Sequence, residues 1–591
     1  MNSRPRIASI TGAAIAALLC PMATGGEPDA VPTGAVTVLD AANTYWRWLR
    51  ADRPAVLVGD AAAERVTVRN RKITPAEANA LRPAVPAGWP AVDFDDSAWP
   101  RTAGGRLANL AFMDDSKDFG GGILPFCRGA LVCLRGKFRV DDPKAVRALH
   151  LSIECRGGIV VHLNGREVAR AHLPAGELTA ATPADPYPAE AFVGANGKPL
   201  PWAKLAKPDD TETRRRIALR KRSLGPLALP TGLLREGTNV LAVAIRRSDF
   251  DPAAKTWFRG YTRGAWSPLG LTGLKLQAVG TGATANVGRR SGAAAVFNQD
   301  RNDRTTVRDY GDPCEPLRPI ALAAARNGTF SGKIVVASDK PVEGLRAVAG
   351  ELKAVKGGGA IPASGVRVLY SEPIFGRSDR RYLEPLTAAP PVKPTAAAAV
   401  WVRVTVPADA SAGDYRGTLT VSAGGKKLAD VPIELHVADW TLPDAKDFRT
   451  FLCLYQSPRA LSLQYKTPLW SERHWALMDR SMKLLAGLGN NAVHVPVVEN
   501  TRLGNTAGWV TWVRQADGSF KHDFSTVEKY LALVKKRLGP QRFVVLHVWH
   551  AGGWSEKGAK QANTVTVRDA ATGKITHLQV PEFGTPESKA F

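Results

Sequence analysis

The chain alternates apolar and polar positions in short runs for about three quarters of its length and then changes period. Residues 131–140, 148–155, 159–163 and 238–245 carry strand patterns. Asn164-Gly165 and Arg235-Glu236-Gly237 sit where hairpin or entry turns are needed, and Asn-Gly tolerates the positive φ of a tight turn. Regular strands with turn signals predict a β-sandwich over 34–250. A second β-rich region is expected over 260–445, with strands at 319–322, 332–336, 366–370, 400–407, 418–421 and 432–440. Gly-, Ala-, Arg- and Asn-rich 281–312 reads as loops, 353–365 as turns, and Thr441-Leu442-Pro443-Asp444 as a hinge.

From about 449 the pattern becomes strand–helix–strand. Residues 451–455 form an apolar, buried-type run. Ser471 is placed to cap a helix in which Trp475, Met478, Met482 and Leu485 recur at three- and four-residue spacing. Residues 492–497 predict a second strand. Phe524, Val527, Tyr530, Leu531 and Val534 trace another helix that ends near Gly539-Pro540, and 543–549 predict a third strand. Such alternation signals parallel β/α structure. The expected architecture is multidomain: two β-sandwiches followed by an incomplete (β/α)8 TIM barrel at 449–591. A whole barrel takes about 250 residues, and 450–591 comprises 142. Thr585, Pro586 and Glu587 suit the start of one more helix.

The N-terminus carries Arg4 and Arg6, an apolar run from Ile7 to Leu19, and Ala23-Thr24-Gly25 with small residues at cleavage positions. Residues 1–25 read as a secretory signal peptide, so the protein is expected to be exported, periplasmic or extracellular. No other stretch reaches the ~18 apolar residues of a membrane span. Net charge is +25, and losing the two signal arginines leaves +23. Such an excess admits acidic polysaccharide among the partners. The basic residues are dispersed, though, and Arg214-Arg215-Arg216 with Arg220-Lys221-Arg222 reads as a solvated loop and strand edge. No nucleic-acid motif is present. Cys127, Cys133, Cys155, Cys314 and Cys453 are an odd set at irregular spacing, not a disulfide framework. Pairing among the first three and buried free thiols both fit.

Three motifs carry a resemblance in the first region. Asp93-Phe94-Asp95-Asp96-Ser97-Ala98-Trp99, the hairpin from Val161 to Val168, and the run from Leu234 to Val243 resemble the galactose-binding-like jelly rolls of many glycoside hydrolases. Trp99 reads first as core. Asp114, Asp115 and Asp118 read as a solvated acidic loop. Farther on, Ala325-Arg326-Asn327, the run from Trp401 to Val421, Val431 to Val437 and Trp440-Thr441-Leu442-Pro443-Asp444 resemble, in order, the sandwich preceding the barrel in glycoside hydrolase family 123. That likeness covers about 315–550. Gly328-Thr329-Phe330 departs from it, standing where the family tends to have an acidic and aromatic pair.

Barrel chemistry sits at the C-terminal ends of strands. The candidates for substrate binding there are Tyr455, His494, Glu499, His547, Trp549 and His550. Trp549 and Trp554 offer rings for a sugar to stack on. His547 and His550, three apart on a strand, point to opposite faces, which disfavours a metal pair. No metal or cofactor is expected. Glycoside hydrolysis uses two carboxyl groups, or one with help from the substrate. Family 123 resemblance implies an adjacent Asp-Glu pair after a later strand and a substrate N-acetyl group as nucleophile. No Asp-Glu dipeptide follows Phe451, so no catalytic residue transfers. Two functions remain: an exported carbohydrate-active enzyme of glycoside hydrolase type, incomplete in this sequence, or a non-catalytic secreted carbohydrate-binding or surface protein.

Overall fold

The computed structural model describes residues 32–52, 67–68, 71–72, 85–103, 129–179, 182–197, 200, 210–249, 251, 269–284, 292–374, 382–501, 505–549 and 563–591. The signal segment, Cys127, the 114–118 acidic loop, His550 and Trp554 lie outside the described residues.

The first region is a sandwich of two antiparallel sheets. One sheet is centred on the long strands Gly129–Val140 and Gly237–Arg246, paired from Gly237↔Val140 to Arg246↔Leu131. The other is centred on Val146–Arg156. Alternate residues of both sheets meet in one core, among them Trp46, Phe138, Leu151, Ile153, Val161 and Val243. The Asn164-Gly165 turn forms as expected, with φ of 52° and 90°. It joins Gly158–Leu163 to Arg166–Ala171. Gly136 is required by contact: a Cβ there would lie 2.6 Å from the Trp46 ring.

The boundary at 250 is corrected. Gly270–Gly280 pairs with Val146–Arg156 on one side and Val36–Asp40 on the other, so the first sandwich takes a strand from beyond its expected end. The arginine cluster is also corrected. Arg214, Arg215 and Arg216 lie on a helix, Thr211–Ala218, capped by Asp210. Glu212 pairs with Arg215 and Arg216, and Glu190 with Arg215. Helical i,i+3 and i,i+4 spacing brings Glu212 to Arg215 and Arg216, while Glu190 reaches Arg215 from a separate segment. Cys133 and Cys155 are buried free thiols, both pushed up to about 12 by burial.

The Asp93–Trp99 motif is structural. Asp96 is buried and receives Arg135 Nε and Lys137 Nζ, each at 2.7 Å. Removing one member of a buried ion network leaves the others uncompensated, at a cost of about 3–5 kcal/mol. Trp99 is buried against Trp89 and Phe94.

The second region is another two-sheet sandwich, with a separate core built on Ile334, Val336, Val400, Val402, Leu419 and Ile433. Its longest hairpin pairs Gly413–Ala423 with Lys426–Thr441. Ile320–Arg326 lies parallel to that last strand. The two sandwiches are clamped together. Arg47 forks onto Glu315 at 2.8 and 2.7 Å, and Tyr45 donates to Asp309 at 3.0 Å. Burial opposes charge on Glu315, yet Arg47 and Lys137 hold its carboxyl down to about 2.

In the third region the expected helices form at Glu472–Ala486 and Ser525–Leu538. Ser471 caps the first by accepting from the His474 amide. Thr585 caps Pro586–Ala590 in the same way. Ala492–Pro496 and Phe543–His547 pair in parallel. The expected strand at 451–455 is corrected: it is extended but makes no ladder. Two of its N–H groups go to side-chain amides, Leu452 N–H to Asn491 Oδ1 at 3.1 Å and Leu454 N–H to Asn490 Oδ1 at 2.7 Å, while Leu452 O accepts from the Asn491 backbone N–H at 3.0 Å. A four-stranded sheet that the sequence reading did not anticipate joins Phe520–Asp523, Thr511–Arg514, Thr564–Asp569 and Ile575–Gln579. A barrel is therefore not what the described residues display. No helix among them is long and apolar enough to cross a membrane.

Candidate functional site

The parallel pair positions the site. In Ala492–Pro496, Val493 and Val495 turn toward the helices and join their core with Trp475, Met478, Met482 and Tyr530. Strand alternation therefore puts His494 on the opposite face. The extended 451–455 segment runs beside that face, and its odd-numbered residues meet it. Phe451 contacts Phe543 edge-on, with ring centroids 5.2 Å apart. Cys453 Sγ lies 2.9 Å from His494 Nε2. The Tyr455 ring lies 4.5 Å from His494 and 5.7 Å from His547.

The two histidines are joined directly, Nδ1 of His494 to Nε2 of His547 at 2.7 Å. One nitrogen of that contact must donate and the other accept, so the pair shares a proton. Asn505 Nδ2 approaches the Tyr455 hydroxyl at 3.5 Å. The half-buried Cys453 thiol is pushed up by burial. The result is a polar row, Cys453–His494–His547, flanked by an aromatic ring. Such a row can hydrogen-bond hydroxyl groups while a ring face contacts C–H surface.

Three of the six predicted site residues are brought together: Tyr455, His494 and His547. Glu499 and Trp549 are engaged elsewhere. Glu499 is 5% exposed. Its carboxylate accepts from the hydroxyls of Thr564 and Thr566 and lies 2.9 Å from His577 Nδ1. Its backbone N–H donates to Thr564 O at 2.8 Å. Glu499 thus anchors the 564–579 hairpin. Trp549 is half-buried. Its indole N–H donates to Pro581 O at 2.9 Å, and its ring packs on Phe583 and Phe591 at 5.4 and 5.1 Å. It belongs to a small core with Val498, Val565, Val567 and Val580. His550 lies outside the described residues.

Cys453 was missed by sequence reasoning. Its two-residue spacing from Tyr455 was the available signal, because alternate residues of an extended segment share a face. The anchors Thr564, Thr566 and His577 gave none, since they reach Glu499 from 65 to 78 positions away. Among the described residues no group of three or more His, Cys, Asp or Glu is arranged to hold a metal.

Two parallel strands thus carry helices on one face and a histidine–tyrosine row on the other. Residues 455–590 match the model of the glycoside hydrolase 123 catalytic domain. Over those residues the chain is glycoside hydrolase family 123-like; the sequence motifs that carried the resemblance lie before them, between Ala325 and Asp444. Comparison with curated proteins gave no match. Among solved structures, a family 123 glycoside hydrolase from Clostridium perfringens is similar at 16% identity and a TM-score of 0.41, covering 50% of this chain and 53% of that one. A glycosyl hydrolase family 2 member from Bacteroides cellulosilyticus gives 12% identity and a TM-score of 0.20, covering 76% and 43%. A Bifidobacterium dentium β-glucuronidase gives 10% and 0.20, covering 78% and 58%. The chain thus spans about half the length of these structures' chains, and at such TM-scores their likeness carries no weight for function.

Proposed function

We propose that the protein is an exported carbohydrate-active protein of glycoside hydrolase type, working in the periplasm or outside the cell. In this reading 449–591 is the N-terminal part of a TIM barrel. Tyr455, His494 and His547 bind sugar hydroxyls, and the catalytic carboxylates lie outside residues 1–591. The match of 455–590 to a glycoside hydrolase 123 catalytic domain carries the proposal. The histidine pair supports it, since His547 ends its strand on the side where barrel sites are built and holds His494 of the parallel neighbour. The carboxylate inventory supports the last part. No Asp-Glu dipeptide follows Phe451, and Glu499 is committed to Thr564, Thr566 and His577. The signal-like N-terminus supports export.

The test is a histidine NMR titration of residues 26–591 with a methyl N-acetylhexosaminide. The imidazole resonances of His494 and His547 should shift together, and Tyr455→Phe should weaken the response. A titration that leaves both imidazoles unmoved up to millimolar sugar would sink the assignment.

A further inference from the structure

A second concave site lies far from the histidine pair, between the two sandwiches. Its volume is about 760 Å³, within the roughly 300–1,000 Å³ range of ligand pockets. The first sandwich contributes Arg47, Trp99 and Arg101, and the second contributes Phe297, Glu315 and Lys333.

The walls are fixed in advance. Arg47 is held by its fork onto Glu315 and by Trp99 O at 2.9 Å. Arg101 donates to Tyr310 O at 2.8 Å, and its guanidinium lies 3.7 Å from the Tyr45 ring centroid. Asn298 is locked by reciprocal bonds with the Arg318 backbone at 2.9 and 2.7 Å. Strand alternation aims Ser331 and Lys333 into the cavity, because Ile334 and Val336 of the same strand point into the sandwich core. Against these fixed walls, several lining groups are uncommitted. Arg101 Nε is buried with no hydrogen-bond partner. The side chains of Arg301, Asn302 and Ser331 have none among the described residues.

Charge decides the ligand class. Five basic and five acidic side chains line the cavity. An anion would face five carboxylates, and a cation five guanidinium or ammonium groups. A neutral polyol avoids both conflicts, because each hydroxyl donates to carboxylates and accepts from guanidinium groups. Phe297 and the flanking Pro316 and Pro319 add apolar surface for C–H faces. We propose that this inter-sandwich cavity is a binding site for a neutral saccharide. The inference is independent of the histidine–tyrosine site.

Titration calorimetry on residues 26–591 tests it, with galactose, N-acetylgalactosamine and lactose as neutral probes and glucuronate as the anionic one. At least one neutral probe should bind, and glucuronate should bind more weakly. Ser331→Trp, which fills the cavity, should abolish that binding. The exposed double change Arg301→Ala with Asn302→Ala should weaken it about fivefold or more, without moving the unfolding midpoint. His547→Gln should leave it intact, which separates this site from the other. Absence of neutral-sugar binding, binding that survives both cavity variants, or a preference for glucuronate would overturn the proposal. If Ser331→Trp fails to fold, the double variant decides alone.

Discussion

Glu499→Gln separates a carboxylate that holds the fold from one that holds a substrate. In the folded chain Glu499 receives two threonine hydroxyls and the His577 imidazole, and it is nearly inaccessible. Glutamine keeps the shape but offers one acceptor oxygen and presents an N–H₂ to the remaining donors. Hydrogen bonds to a charged group contribute about 1.5–3 kcal/mol, against about 0.5–1.5 for neutral ones. Two threonine bonds therefore lose about 1 kcal/mol each. The His577 contact adds less, because that side chain is 58% exposed and screened by solvent. Turning one threonine hydroxyl to accept instead of donate limits the remaining mismatch to about 1 kcal/mol. The expected loss is about 2–4 kcal/mol, concentrated in the 564–579 hairpin. Urea unfolding measures the total, and amide hydrogen exchange of 564–569 and 575–579 measures its location. Unchanged stability and unchanged exchange, combined with a clear loss of sugar binding by the variant, would refute the anchoring role and return Glu499 to the cleft.

Trp549→Ala should cost about 2–3 kcal/mol, below the ~3–5 of a fully buried aromatic because the ring is half-buried, and should leave the His494 and His547 titration unchanged; normal stability with lost sugar binding would contradict this. Glu315 has a folded pKa of about 2 against an ordinary 4.5. Its contribution, about 3 kcal/mol, is complete above pH 4.5 and lost as pH falls toward 2. The stability gap between wild type and Glu315→Gln should therefore narrow between pH 6 and 2.5, and a constant gap would disprove the linkage. On the proposed reading, purified residues 26–591 should not turn over aryl N-acetylhexosaminides, since no Asp-Glu dipeptide follows Phe451; measurable release of the aryl group would show that the chain carries its own acid.

Local chemistry was the readable part of this sequence. Asn164-Gly165 formed its turn, and Ser471 and Thr585 capped their helices. Each of these features is decided by the residues themselves and a few neighbours. What escaped reading was decided at a distance. The strand Gly270–Gly280 pairs with residues over a hundred positions earlier, so a boundary drawn from local spacing fell short of it. Phe451 to Tyr455 had the composition of a buried strand, but its Leu452 and Leu454 N–H groups go to the side chains of Asn491 and Asn490, and the one backbone bond from Asn491 to Leu452 O does not extend into a ladder. Thr511–Arg514 and Phe520–Asp523 are four residues each and barely apolar. They pair with each other and join a larger sheet through Thr511–Arg514, which pairs with Thr564–Asp569 at an offset of 55 positions, Thr511 opposite Thr566. Among the candidate site residues, position along the strands picked out three that the fold brings into contact, His494, His547 and Tyr455. Glu499 and Trp549 are engaged by the segment that follows in sequence, which could not be seen in the strand ends.

The arrangement of charge bears on which part of glycoside chemistry this region can supply. An acid for the leaving group must hold a proton near neutral pH and release it at the glycosidic oxygen, and its partner must bear or stabilise positive charge on the sugar. The His494–His547 pair is ill suited to the second task. Two imidazoles joined at 2.7 Å share one proton without strain, but adding a second would place two cations in contact. Glu499, the carboxylate nearest to them in the strand-end reading, is instead bonded to Thr564, Thr566 and His577. Cys453, raised by burial, stays a thiol and adds no charge. What remains is a row of weak donors and acceptors at fixed spacing beside the Tyr455 ring. That row suits the recognition of hydroxyl groups and does not suit proton transfer to a leaving group. On the proposed reading, sugar binding at the histidine pair and bond cleavage are separable properties, and each is tested by its own assay.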